Sequence, residues 1–133
     1  MRLLLDTHAL IWWLAGDPSL SADAKAAVVD PENDIFVSAA SAWEIATKYR
    51  IGRLPQAAAL ALDVSGALAS QGFIELPITV LHGQAAGGLP GPLRDPFDRM
   101  LIAQATLADL VLVSNEAVFD LYAVRRLWSG WPK

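Results

Sequence analysis

Short apolar runs at 2–5, 35–37, 73–76 and 110–113 alternate with longer segments of helical pattern, and this alternation leaves the chain few folds to choose from. Strands separated by helical crossovers pair in parallel, and a parallel sheet needs helices on both of its faces. The intervening segments supply them. Helices are expected over 8–14, stopped by Gly16, Asp17 and Pro18, and from the N-cap Ser21 to about 29. Ser38 caps the next, which ends near Gly52 after Arg50 and Ile51. Further helices are expected over 56–70, closed by Gly72, over 79–86, and over 96–108, with Asp95 as N-cap and Pro96 as the first helical residue. Residues 30–33 read as a turn and 87–94 as a loop whose glycines and prolines exclude regular structure. The segment 121–133 reads as a final strand or an extended tail. The expected class is α/β, a three-layer α/β/α arrangement around a central parallel sheet, as one domain over 1–133.

In such a sheet, ligands bind at the carboxyl ends of the strands. Acidic residues recur there. Asp6 ends the run 3–5, Glu44 lies shortly after 35–37, Asp98 opens a helix after the glycine- and proline-rich loop, and Glu116 follows 110–113. Carboxylates brought to one sheet edge from distant parts of a chain bind hard cations, which take oxygen ligands. With no cysteine, disulfides, zinc–thiolate sites and thiol nucleophiles are excluded, so a metal must use oxygen or the two histidines.

Each acid also has a simpler reading. Asp6 is placed to cap the helix at 8–14, and Glu44 to pair with Lys48 four residues on, a contact contributing about 0.2–0.5 kcal/mol. Asp98 and Glu116 sit in first helical turns, where the helix dipole favours any acid. Asp95 needs no explanation beyond capping. The recurrence at successive strand-to-helix junctions favours one metal site over independent capping.

A net charge of −4 and a pI near 4.9 argue against nucleic-acid binding through a general positive surface. They leave room for a nuclease whose acids are neutralised locally by divalent ions. Lys48, Arg50, Arg53, Arg94 and Arg99 border the acidic positions in the topology and are candidate phosphate contacts. His8 and His82 lie on different helices without an evident partner, and Trp12, Trp13 and Trp43 read as core or interface residues. The apolar fraction of 54% exceeds the roughly 45–50% usual for globular chains and points to a buried subunit face, hence a homodimer. No apolar run reaches the ~18 residues of a membrane span and no signal peptide is evident, so a cytoplasmic location without membrane association is expected.

Three separated motifs carry a resemblance: the run 4–12 around Asp6-Thr7-His8, the run 41–48 around Trp43-Glu44-Ile45, and the run 94–105 around Asp95-Pro96-Phe97-Asp98-Arg99. In this order they resemble the PIN-domain family, in particular VapC-type toxins of type II toxin–antitoxin modules, over roughly residues 2–123. The resemblance implies an endoribonuclease dependent on Mg2+ or Mn2+, typically dimeric and blocked by a cognate VapB-type antitoxin. Asp6, Glu44 and Asp98 fall on the family's first three acidic positions. The fourth usually reads Thr-x-Asp, whereas Ser114-Asn115-Glu116 stands here, with Glu116 the aligned residue.

Because Mg2+ retains several waters and takes one or two carboxylates directly, Asp6 and Asp98 are assigned as direct ligands. Glu44 is a water-mediated ligand or a proton acceptor for the attacking water, and Glu116 is a candidate to hydrogen-bond the ligands of the metal or to hold a second one. Thr7 is positioned to hydrogen-bond a carboxylate or a substrate phosphate, and Ser114 to orient Glu116 or a metal-bound water. A catalytically weak or inactive PIN-like module that binds RNA or protein is the alternative. A phosphoacceptor signalling domain ranks below both, because Ser38 and Glu44 follow 35–37 where that class needs a phosphoacceptor.

Overall fold

The computed structural model describes residues 1–130, in which the alternation is realised as strands β1 (Arg2–Leu5), β2 (Asp34–Ser38), β3 (Ile74–Leu76), β4 (Val111–Val113) and β5 (Arg126–Leu127). The helices are α1 (Thr7–Ala15), α2 (Ala22–Val29), α3 (Ala39–Arg50), α4 (Ala58–Leu62), α5 (Val64–Gln71), α6 (Val80–Gly88) and α7 (Pro96–Leu107). The strands form one sheet in the order β3-β2-β1-β4-β5, with every adjacent pair parallel. From β1 the chain moves outward through β2 to β3, then returns to β4 on the other side of β1. That reversal opens a crevice at the carboxyl ends of β1 and its neighbours.

Side chains alternate between the two faces of the sheet, as the strand period requires. Leu3 and Leu5 of β1 with Val111 and Val113 of β4 pack into one core, joined by Ala9 and Leu10 of α1, Ala24 and Val28 of α2 and Ile45 of α3. Leu4 and Leu112 point the other way, onto Leu101, Ile102 and Ala105 of α7 and onto Phe119. β1 has Leu4 opposite Phe36 on one side and Leu112 on the other, so the first acidic junction is held at the centre of the sheet. The three-layer expectation holds. No helix among the described residues is long and apolar enough to cross a membrane.

Two local expectations need correction. The helix expected over 56–70 is broken: a 3-10 turn at Pro55–Ala57 leads into α4, and Asp63 separates α4 from α5. Asp63 turns its carboxylate back to accept the Gly66 N–H at 2.9 Å, so a new helix start competes with continuation of the old one. A Cβ on Gly66 would lie 2.2 Å from that carboxylate, so a larger residue there would displace the Asp63 side chain from its cap. Second, Gly87 and Gly88 belong to α6. Arg99 accounts for this by donating to the carbonyls of Ala86 and Gly87, which a helix end otherwise leaves without partners. Of the two forms expected for the C-terminal segment, the strand is found, at 126–127, and residues 131–133 lie outside the described residues.

Candidate active site

Asp6 directly follows β1, and its N–H donates to the Val113 carbonyl of β4 at 3.0 Å, fixing the residue between the two strands. Its Oδ1 accepts the Ala9 N–H at 2.8 Å, so Asp6 does cap α1. Capping engages one carboxylate oxygen and leaves the other. Ser114, buried just past β4, hydrogen-bonds to the Asp6 carboxyl and accepts the Glu116 N–H at 3.0 Å. Ser114 therefore joins the first acid to the backbone of the fourth. The Glu116 side chain itself is exposed and makes no capping bond to the 3-10 turn that follows.

Glu44 is buried on α3 with both carboxylate oxygens engaged. Thr7 Oγ1 donates to Oε1 at 2.5 Å, and Lys48 Nζ lies 2.5 Å from Oε2. The Thr7 hydroxyl has one proton, so its 3.0 Å contact with the buried Ser41 hydroxyl is filled by Ser41 donating. Ser41 had escaped the sequence reading. Its position three residues before Glu44, on the same helix face, was the available signal.

Asp98 occupies the first turn of α7, whose start is fixed by Asp95 Oδ1 accepting the N–H groups of Phe97 and Asp98 at 2.9 and 3.2 Å. Burial pushes the Asp98 carboxyl up to about 7 from 3.8, reinforced by the negative charges of Asp95, Glu44, Asp6 and Glu116 in that order. Burial also raises Asp6, against hydrogen bonds from Ser114 and Ala9 and the charge of His8, with Glu116 adding to the rise. Glu44, Asp6 and Glu116 thus act on Asp98, and Glu116 on Asp6, across the crevice. Asp95 belongs to the same field, a part not anticipated for a residue read as a cap alone.

A pH dependence follows. Between 3.8 and about 7 the folded chain holds a proton on Asp98 that the unfolded chain has released, so in this window folding stability rises as pH falls. In EDTA, the native chain should gain melting temperature relative to Asp98→Asn as pH drops from about 8 to about 5, since asparagine does not titrate. Parallel pH profiles of the two chains would contradict the raised value. Divalent-cation affinity should move oppositely and weaken as pH falls, because the ligand must be ionised.

Among the described residues, no three acidic or histidine side chains close around one point as a ready-made ligand cage. The donor chemistry nevertheless fits Mg2+ or Mn2+. The site offers only hard oxygen ligands, and such an ion completes its shell with water, needing one or two carboxylates directly. Asp6 has an oxygen outside its cap, and Asp98 carries an uncompensated tendency to hold a proton, which a dication would replace.

The remaining candidates divide. Lys48 pairs with Glu44, the simpler reading of that pair. Arg99 donates its guanidinium to the carbonyls of Ala86, Leu93, Gly87 and Leu89 at 3.0, 2.7, 3.3 and 2.5 Å. Arg99 is a clamp between the end of α6 and the loop before α7. Arg94, Arg50 and Arg53 are exposed, but at a rise of about 1.5 Å per residue Arg50 lies roughly 9 Å along α3 beyond Glu44. Arg94 directly precedes Asp95, the cap of the helix that carries Asp98. His8 stacks on Trp12, with ring centroids 5.6 Å apart, and His82 Nδ1 accepts the Thr79 N–H in a capping box, so neither is set up as a base. Trp12 and Trp13 pack against the first core, whereas Trp43 is exposed, edge-on to Phe97 over an apolar pocket shared with Ile78 and Met100.

A family model described as PIN domain matches residues 3–125. A 42-residue stretch is 57% identical to Ribonuclease VapC16 of Mycobacterium tuberculosis, covering 29% of this chain and 30% of that protein. The chain therefore aligns with under a third of that relative's length. Two solved structures share the fold at 15% identity. The VapBC2 complex of Rickettsia felis, bound to a DNA fragment from its promoter, superposes with a TM-score of 0.70 over 97% of this chain and 100% of the matched one. VapBC-1 of nontypeable Haemophilus influenzae gives 0.62 over 91% of each.

Proposed function

This chain belongs to the PIN-domain family, and we propose that it is a divalent-metal-dependent endoribonuclease, the toxin of a VapBC-type toxin–antitoxin module. The observation carrying this reading is the convergence of Asp6, Glu44, Asp98 and Glu116 at the carboxyl end of the sheet, where burial first and the neighbouring acids second push the Asp98 carboxyl up to about 7. Bound Mg2+ or Mn2+ would supply water activation and charge neutralisation on the phosphate oxygens. Asp6 and Asp98 would hold the ion. Thr7 and Lys48 fix the Glu44 carboxylate so that it receives the proton of the attacking water, and Ser114 sets the backbone from which Glu116 reaches the mouth of the site. Arg94, exposed beside Asp95, is the basic residue best placed for the RNA backbone.

The partner assignment rests on likeness to VapC16 over the aligned stretch, together with two fold neighbours that are VapBC complexes. A VapB-type antitoxin fits chemically, since an arginine would be attracted into the acidic crevice. The exposed apolar side chains of Trp43, Ile78, Val80 and Leu81 are the face assigned to a homodimer. The working unit is taken as a single domain acting in the cytoplasm. The competing reading, an RNA- or protein-binding module without turnover, draws on the exposure of Glu116 and its departure from the family's aspartate.

The test is cleavage of a defined RNA panel with added Mg2+, Mn2+ or EDTA. Cleavage confined to the metal lanes is expected. Retained RNA binding with no cutting in any lane would support the binding module, and equal cutting in EDTA would overturn metal dependence.

A further inference from the structure

Lys48 and Glu44 form an internal ion pair beside the acids at the carboxyl end of the sheet, where the Glu44 carboxylate also accepts from Thr7, the residue that follows Asp6. Glu44 is buried, and its second oxygen already accepts from Thr7. The Lys48 side chain is itself only 28% exposed, so the pair is held within the wall of the crevice and does not lie loosely on the helix surface. By contrast, Asp6 and Asp98 form no ion pair with any lysine or arginine among the described residues. Lysine charge is therefore paired with Glu44 and with neither Asp6 nor Asp98, of which Asp6 has only the His8 ring near it. We propose that Lys48 is a fixed cation serving Glu44 in place of a second metal ion, so that this chain binds one divalent cation, on the Asp6–Asp98 side.

This inference rests on the metal-dependent reading above and deepens it. Lys48 is a positioning residue that acts through Glu44. With its ammonium in place, a dication approaching Glu44 meets a carboxylate already neutralised and a like charge beside it. Removing the ammonium while leaving the carboxylate creates a buried, uncompensated anion, which a dication would then occupy.

The experiment is Mn2+ titration of the full chain, free of RNA, read as bound ions per chain by electron paramagnetic resonance of the free ion. The native chain should bind one Mn2+, and Lys48→Arg, which keeps the charge, should also bind one. Lys48→Met should bind two. Lys48→Met combined with Glu44→Gln, which removes both charges and restores neutrality if the single variant folds poorly, should return to one. Two ions on the native chain, or one on Lys48→Met with unchanged affinity, would overturn the role of Lys48 and leave the metal-dependent nuclease standing. No binding to the native chain would overturn both.

Discussion

Replacing Asp6 by asparagine is expected to lower Mg2+-dependent RNA cleavage by more than ~100-fold, beyond the range typical of residues that only support metal ligands, while the chain stays folded. The two functions of Asp6 make this variant informative. Its Oδ1 caps α1 through the Ala9 N–H, and an asparagine carbonyl oxygen can accept that bond equally well. What asparagine cannot supply is the negative charge. Because burial already disfavours that charge on Asp6, its removal should leave the melting temperature in EDTA no lower than that of the native chain. Asp6→Ala loses charge and cap together and should cost about 1 kcal/mol of stability in addition. If Asp6 served only as a cap, Asp6→Asn would cleave like the native chain and only the alanine variant would show a defect.

Arg99→Ala is expected to destabilise the fold by about 2–4 kcal/mol and to reduce cleavage through disorder of the segment that delivers Asp98. Arg99 holds four carbonyls, from the last turn of α6 and from the loop that enters α7. Without the guanidinium, those carbonyls lose their charged donor and the Asp95 cap loses the wall behind it. Arg99→Lys should recover only part of the loss, since an ammonium cannot span four acceptors that a planar guanidinium reaches. Chemical denaturation separates this account from a phosphate-binding role. A variant with native stability and a raised KM for RNA would assign Arg99 to the substrate instead.

The contrast between Asp6 and Arg99 shows how much of this molecule is legible in its sequence. The strands were readable because β1 and β4 are buried on both faces and appear as unbroken apolar runs, and helix starts were readable because Ser21, Ser38 and Asp95 cap as their chemistry dictates. Acids at strand ends were readable because parallel topology brings those ends together. The break at Asp63 was hidden: alanine and leucine on either side favour helix, and only the local bond to Gly66 tips the balance. The commitment of Arg99 was hidden for a similar reason, since a basic residue beside an acidic motif gives no sign of whether it faces phosphate or backbone carbonyls. The Ser41–Thr7–Glu44–Lys48 array joins two helices, so half of it was visible as an i,i+4 pair and the rest only in three dimensions.

Hydrolysis by water and attack by the RNA's own 2′-hydroxyl leave different ends, and that difference tests the central claim most directly. A carboxylate site that activates water leaves no cyclic phosphate. Mapping the product ends of a defined RNA cut by the native chain in Mg2+, beside an EDTA control, should give linear ends without 2′,3′-cyclic phosphate and an uncut control. Cyclic-phosphate ends that persist in EDTA would contradict the account.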